Sequence, residues 1–114
     1  EGRPIHLICA GTDGLPSLED TLFAGSLVSA MEDFARPIDG ETEIMGRLWR
    51  SLGIDEKVGE ERDLALLEVI STGRGGKRVR EIGLADDVRD VCRIDRLDIT
   101  AEVLREPTRI VRVS

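Results

Sequence analysis

The residues best suited to chemistry lie in one stretch, Cys9-Ala10-Gly11-Thr12-Asp13-Gly14-Leu15-Pro16-Ser17-Leu18-Glu19-Asp20. Asp13, Glu19 and Asp20 are three oxygen donors with no histidine among them. Such a set suits a hard cation like Mg²⁺, which keeps several waters and bridges to a phosphate. Gly11, Thr12, Gly14 and Ser17 sit where an apolar run hands over to a helix. A helix N-terminus there offers free N–H groups and partial positive charge to a phosphate or carboxylate, and glycines let backbone approach it closely. The same turn could equally be a plain connection. Cys9 is open to two roles, a nucleophile or a small apolar strand residue. The only concentrated positive charge is Gly73-Arg74-Gly75-Gly76-Lys77-Arg78-Val79-Arg80. Lys77 and Arg78, with Arg80, would hold a second anionic group there, or else line a solvated turn. The order GxxxxGK[ST] of a nucleotide P-loop is absent.

These residues need elements to position them. Ile5–Ala10 is a nearly continuous apolar run, the pattern of a strand covered on both faces. Gly11–Pro16 is rich in turn residues. A helix is predicted from Ser17 to about Ala35, stopped by Pro37, with Ser17 and Asp20 spaced as in a capping box. At about 100° per residue, Ala24, Leu27, Met31 and Phe34 fall within roughly 40° of Asp20, which places that carboxylate on the apolar stripe. It must then be capped, paired or bound to a metal. Further helices are predicted at about Thr42–Leu52, Glu60–Ile70, Lys77–Ile82 and Asp86–Arg93. The tail reads as strands at about Leu97–Leu104 and Arg109–Val113, joined at Glu106-Pro107. The expected class is α/β: a layered sheet with helices on its faces, built here from about five helices, one buried strand and a C-terminal hairpin. A buried strand needs neighbours on each edge, and few are offered. The sheet is therefore expected to be incomplete, with residues 1–114 the C-terminal part of a single α/β domain. The missing strands would come from an upstream part of the same protein or from a partner chain.

Composition narrows the class. The 114 residues carry 16 basic and 23 acidic side chains, a net charge of −7, with Phe23, Phe34 and Trp49 as the aromatic residues. That disfavours nucleic-acid binding, which wants a basic stripe and stacking rings. No apolar run approaches the ~20 residues of a membrane helix, and no secretory leader pattern is visible. Cys9 and Cys92 are far apart and His6 is the single histidine, so neither a zinc site nor a disulfide scaffold is expected. A reduced, cytoplasmic protein is the expectation, with homo-oligomerisation open.

The stretch from Cys9 through Gly25, with its C-A-G-T-D-G turn followed by S-L-E-D, resembles the signature of the 2-phosphosulfolactate phosphatase family. Gly76-Lys77-Arg78-Val79, then Gly83, Asp87 and Asp95-Arg96-Leu97-Asp98-Ile99, resembles that family's later pattern in order and interval. The tail departs from it, with Thr100-Ala101-Glu102 where the family has Val-Pro. The resemblance implies a magnesium-dependent phosphoric monoester hydrolase acting on a small anionic ester. The implied reaction takes 2-phospho-3-sulfolactate to 3-sulfolactate and phosphate, on a route to coenzyme M. On this reading Asp13, Glu19 and Asp20 hold Mg²⁺, and Asp13, Asp20 and Cys9 are the catalytic candidates. Gly11, Thr12, Gly14, Ser17, Lys77 and Arg78 hold the substrate, with backbone N–H groups of Gly11–Gly14 and Ser17–Leu18 on phosphate oxygens. The alternatives are a phosphatase of another hydroxy-acid phosphate and a non-catalytic anion-binding module.

Overall fold

A computed structural model describes residues 2–114. Its elements are α1 (Leu18–Ala30), α2 (Gly40–Ser51), α3 (Gly59–Thr72), α4 (Arg74–Glu81), α5 (Ala85–Val91), β1 (Ala101–Arg105) and β2 (Thr108–Arg112). Five helices and an open two-stranded antiparallel sheet make this a small α/β arrangement with an incomplete sheet, as expected.

The core lies among the helices. Leu22 of α1, Trp49 of α2, Ile54, Leu66 of α3 and Cys92 form its buried centre, flanked by half-buried Leu18, Leu48, Leu52, Ile70 and Ile94. Cys92 is fully buried, and that burial, with a smaller push from the Asp63 carboxylate, raises its thiol above the ordinary range. It is a packing residue. The Trp49 indole N–H donates to Asp55 Oδ2 at 2.6 Å, so its polar edge is satisfied within the core.

Helices α1 and α2 approach closely because each carries a glycine at the crossing. A Cβ on Gly25 would overlap the Met45 carbonyl, and one on Gly46 would lie 2.8 Å from Val28 Cγ1. The N-terminus of α2 is capped by Asp39, which accepts the Thr42 N–H at 2.8 Å and the Thr42 hydroxyl at 3.1 Å. Those bonds hold its carboxyl below the usual range. Arg62 on α3 donates to the Ile94 carbonyl at 3.0 Å, tying α3 to the turn after α5.

Four sequence expectations need correction. First, residues 5–10 form no ladder, and only Leu7 among them is even half-buried; Ile8 is 92% exposed. An isolated apolar run has no strand among the described residues paired with it, so it stays unpaired and uncovered. Second, α1 ends at Ala30, and Met31–Phe34 close a tight turn through Phe34 N–H to the Met31 carbonyl, before Pro37 is reached. Third, the buried face of α1 is Leu22, Ala24, Gly25 and Val28, because Gly25 must face α2; of the expected stripe, Ala24 is buried and Leu27 half-buried, while Met31 and Phe34 lie beyond the helix. Fourth, the helix expected from about Lys77 begins at Arg74, so the glycine-rich segment before Lys77 is no turn and Gly75 and Gly76 are helical. The tail hairpin turns at Glu106-Pro107 as predicted, with Arg105 opposite Thr108, and only Leu104 and Val111 are half-buried in its strands.

Candidate functional site

The segment between the N-terminal run and α1 is a tight turn. Thr12 and Leu15 exchange both backbone hydrogen bonds, at 2.9 and 3.0 Å. The two central residues, Asp13 (φ 54°) and Gly14 (φ 75°), are left-handed, as a two-residue I′ turn requires. Aspartate and glycine are among the residues that accept this geometry. Gly11 is also left-handed, and a Cβ there would run into the Leu15 carbonyl.

Asp20 locks this turn onto α1. Its Oδ2 accepts the Gly11 N–H at 2.8 Å. The expected capping box does not form: the Ser17 side chain makes no cap bond, and its Oγ is buried without a partner. Asp20 is drawn instead to a backbone donor nine residues earlier. The N–H groups of Gly11 and Thr12 are thereby spent within the turn and are not free to hold phosphate oxygens. Cys9 is exposed and its Sγ lies 3.6 Å from the Asp20 carbonyl oxygen, so it borders this turn.

The first turn of α4 meets the first turn of α1. Gly73 packs on Leu18, where a Cβ would lie 2.9 Å from Leu18 Cδ2. Gly75 faces Glu19, whose two carboxylate oxygens would lie 2.8 and 2.9 Å from an added Cβ. Gly76 sits against the Ile70 carbonyl with no room for a side chain. These glycines are present for close approach, and they bring two helix N-termini together. Between them lies a cleft of about 220 Å³ lined by Thr12, Ser17, Glu19, Arg74, Gly75 and Arg78 among others. A larger groove of about 480 Å³ runs between the N-terminal run and the 31–38 segment, but its lining of Ile5, Leu7, Val28, Met31, Phe34 and Ile38 is mainly apolar and excludes the sequence motif.

Asp13 reaches across from the turn to α4. Its Oδ2 is 2.9 Å from an Arg74 guanidinium nitrogen and 3.8 Å from one of Arg78. Thr12, Ser17, Glu19 and Arg78 thus meet at one cleft, whereas Lys77 is exposed and does not line it. Gly11 and Gly14 shape the turn beside the cleft without lining it. The residue that sequence reasoning missed is Arg74; it lies within the basic segment, but its role depends on the helix starting there.

The three carboxylates are spread over separate partners: Asp13 on Arg74, Glu19 at Gly75, Asp20 on Gly11. Among the described residues, no three His, Cys, Asp or Glu side chains form a group that could hold a metal ion. The donors as placed do not fit the expected Mg²⁺ ligand set. Among the described residues, no helix is long and apolar enough to cross a membrane.

No curated protein and no solved structure matches the chain. A family model, described as 2-phosphosulpholactate phosphatase, matches residues 1–106. The match takes in the turn at 11–14, the first turn of α1 and the arginines of α4, the parts that build the cleft. The chain belongs to the 2-phosphosulpholactate phosphatase family.

Proposed function

We propose that this chain binds the phosphate ester of a 2-hydroxy acid at the cleft between α1 and α4 and takes part in its hydrolysis. The family is a phosphatase family, which supports phosphoric monoester hydrolysis generally. The substrate of this reading is 2-phospho-3-sulfolactate, released as 3-sulfolactate and phosphate on the route to coenzyme M. The observation that carries it is the pairing of two helix N-termini at one cleft with Arg74 and Arg78 on its wall.

Phosphoryl transfer is catalysed mainly by positioning and by charge placed where the transition state develops it. The first-turn N–H groups of α1 and α4 have no intrahelical partners and carry the positive ends of their helix dipoles. They attract the phosphoryl oxygens, helped by the Thr12 hydroxyl. The guanidinium groups supply the permanent charge. Glu19 is the carboxylate of the cleft lining, and in this reading it accepts the proton of the attacking water and returns it to the ester oxygen, which leaves as the hydroxyl of the 2-hydroxy acid. Asp20 acts indirectly, by fixing the turn through Gly11. Magnesium dependence belongs to the same proposal. Because Asp13, Glu19 and Asp20 do not gather as a ligand set here, no step is routed through the metal.

The test is phosphate release from 2-phospho-3-sulfolactate and from phospholactate, with and without Mg²⁺, by protein carrying this sequence. Mg²⁺-stimulated release is expected from the first ester. The Arg74→Ala variant is expected to lose at least about tenfold in kcat/KM, as removal of one charged contact to the substrate does. Equal rates for this variant and the parent would remove the cleft from the reaction. Phosphate binding with no turnover of either ester would favour an anion-binding module.

A further inference from the structure

We propose that Asp13 is an internal stand-in for the carboxylate of the substrate: Arg74 and Arg78 form a two-guanidinium receptor that Asp13 fills until an acidic ligand displaces it. This rests on the cleft being the ester site.

The receptor follows from spacing. Residues four apart share one face of a helix, so Arg74 and Arg78 stand side by side on α4. Two like charges placed this way favour an anion beside them, and the one within reach of both is a single carboxylate oxygen, Asp13 Oδ2. It is carried on the tip of the two-residue turn, 61 residues away in sequence from Arg74. The base of that turn is tied down by Thr12, Leu15 and the Gly11–Asp20 bond, but its tip is open, with nothing near Gly14. Both partners of the short contact are exposed, Asp13 by 60% and Arg74 by 64%. An ion pair so exposed contributes little net free energy, so a ligand carboxylate can replace it at small cost.

The same two arginines flank the cleft where the phosphoryl group is placed. A ligand bearing both a phosphate and a carboxylate on one carbon can therefore engage the helix N-termini and the arginine pair together. A phosphate monoester without an acid group would leave Asp13 in place and gain only the first set of contacts. The arginine pair favours acid-bearing esters over neutral alcohol phosphates, and Asp13, as a competitor for that pair, sets how strongly an acid group must bind to gain it. Occupancy by an internal competitor lowers the apparent affinity by the fraction of receptor left free.

The test uses calorimetric titration of the full chain with lactate, a phosphate-free 2-hydroxy acid, and separately with inorganic phosphate. Asp13→Asn removes the charge while keeping a residue that accepts left-handed backbone. Its lactate affinity is expected to rise about fivefold, the scale of an exposed ion pair. Arg74→Ala is expected to abolish lactate binding. A purely structural Asp13–Arg74 bridge would instead lower the Tm of Asp13→Asn and leave lactate affinity unchanged, and that result overturns the proposal. Weaker lactate binding in this variant, or no lactate binding by either protein, overturns it too. Inorganic phosphate separates the two readings. If phosphate binds and the Asn variant shows no gain for lactate, this inference fails and the cleft reading stands. If phosphate does not bind at all, the cleft reading fails on its own.

Discussion

Asp20 illustrates how one side chain can look catalytic by type and position and be tied by geometry to its own backbone. Its carboxylate accepts a buried-side N–H from Gly11, and the turn that presents Asp13 and Thr12 depends on that bond. Hydrogen bonds to a charged acceptor contribute about 1.5–3 kcal/mol net. Asp20→Ala is therefore expected to lower the unfolding free energy by an amount in that range, measured by urea denaturation followed through the single tryptophan, Trp49. Asp20→Asn retains an oxygen acceptor and is expected to lose less than half as much. If the Asn variant kept full stability but lost all Mg²⁺-stimulated turnover, Asp20 would be a group of the reaction rather than a support for the turn.

At the scale of elements, the site depends on how closely helices can approach, and glycine decides that. Gly25 and Gly46 set the α1–α2 crossing, while Gly73, Gly75 and Gly76 set the junction of α3, α4 and α1. In Gly25→Ala the new methyl would overlap the Met45 carbonyl, which belongs to helix backbone and cannot swing aside. Overpacking of this kind costs about 1–3 kcal/mol, and the expected signature is a lowered urea midpoint. Gly40→Ala is the matched control. It adds the same methyl at the start of α2 with nothing within 4 Å, so its stability is expected to be unchanged or raised by up to about 1 kcal/mol through helix propensity. Equal losses in the two variants would show that close approach is not what Gly25 provides.

The whole molecule is open for its size. Its radius of gyration is 15.5 Å, against roughly 13 Å for a compact domain of this length. Its accessible surface is 9101 Å², about half as much again as the roughly 6,200 Å² typical of this mass. Ile5, Ile8, Phe23, Phe34 and Ile38 are among the large apolar side chains left exposed, and several line the 480 Å³ groove. Contiguous apolar surface of this kind is normally covered by another chain or segment. Alone in solution, the chain is expected to bind a hydrophobic dye strongly. Its sedimentation mass should rise with concentration beyond that of one copy. A strict monomer that ignores the dye would mean that the N-terminal run folds back over the groove in solution.

Several of the local elements were legible in the order of residues. Periodicity and helix punctuation located α2 and α3 to within a residue or two, and Glu106-Pro107 marked the hairpin turn. These depend on neighbours in the chain, which a sequence displays directly. The motif at 9–25 likewise placed the chain in its family, because that likeness is a matter of residue order. Tertiary structure alone decided which carboxylate faces what. Asp20 turned to Gly11 rather than to its own cap, Asp13 met Arg74 across 61 residues, and Glu19 came to Gly75. It also decided that Gly75 and Gly76 belong to a helix, and that the run at 5–10 is bare. Most of these are contacts between separate segments, or the lack of one. Charge and hydrogen-bond geometry act over a few ångströms in space, and no spacing along the chain encodes which distant residues will come that close.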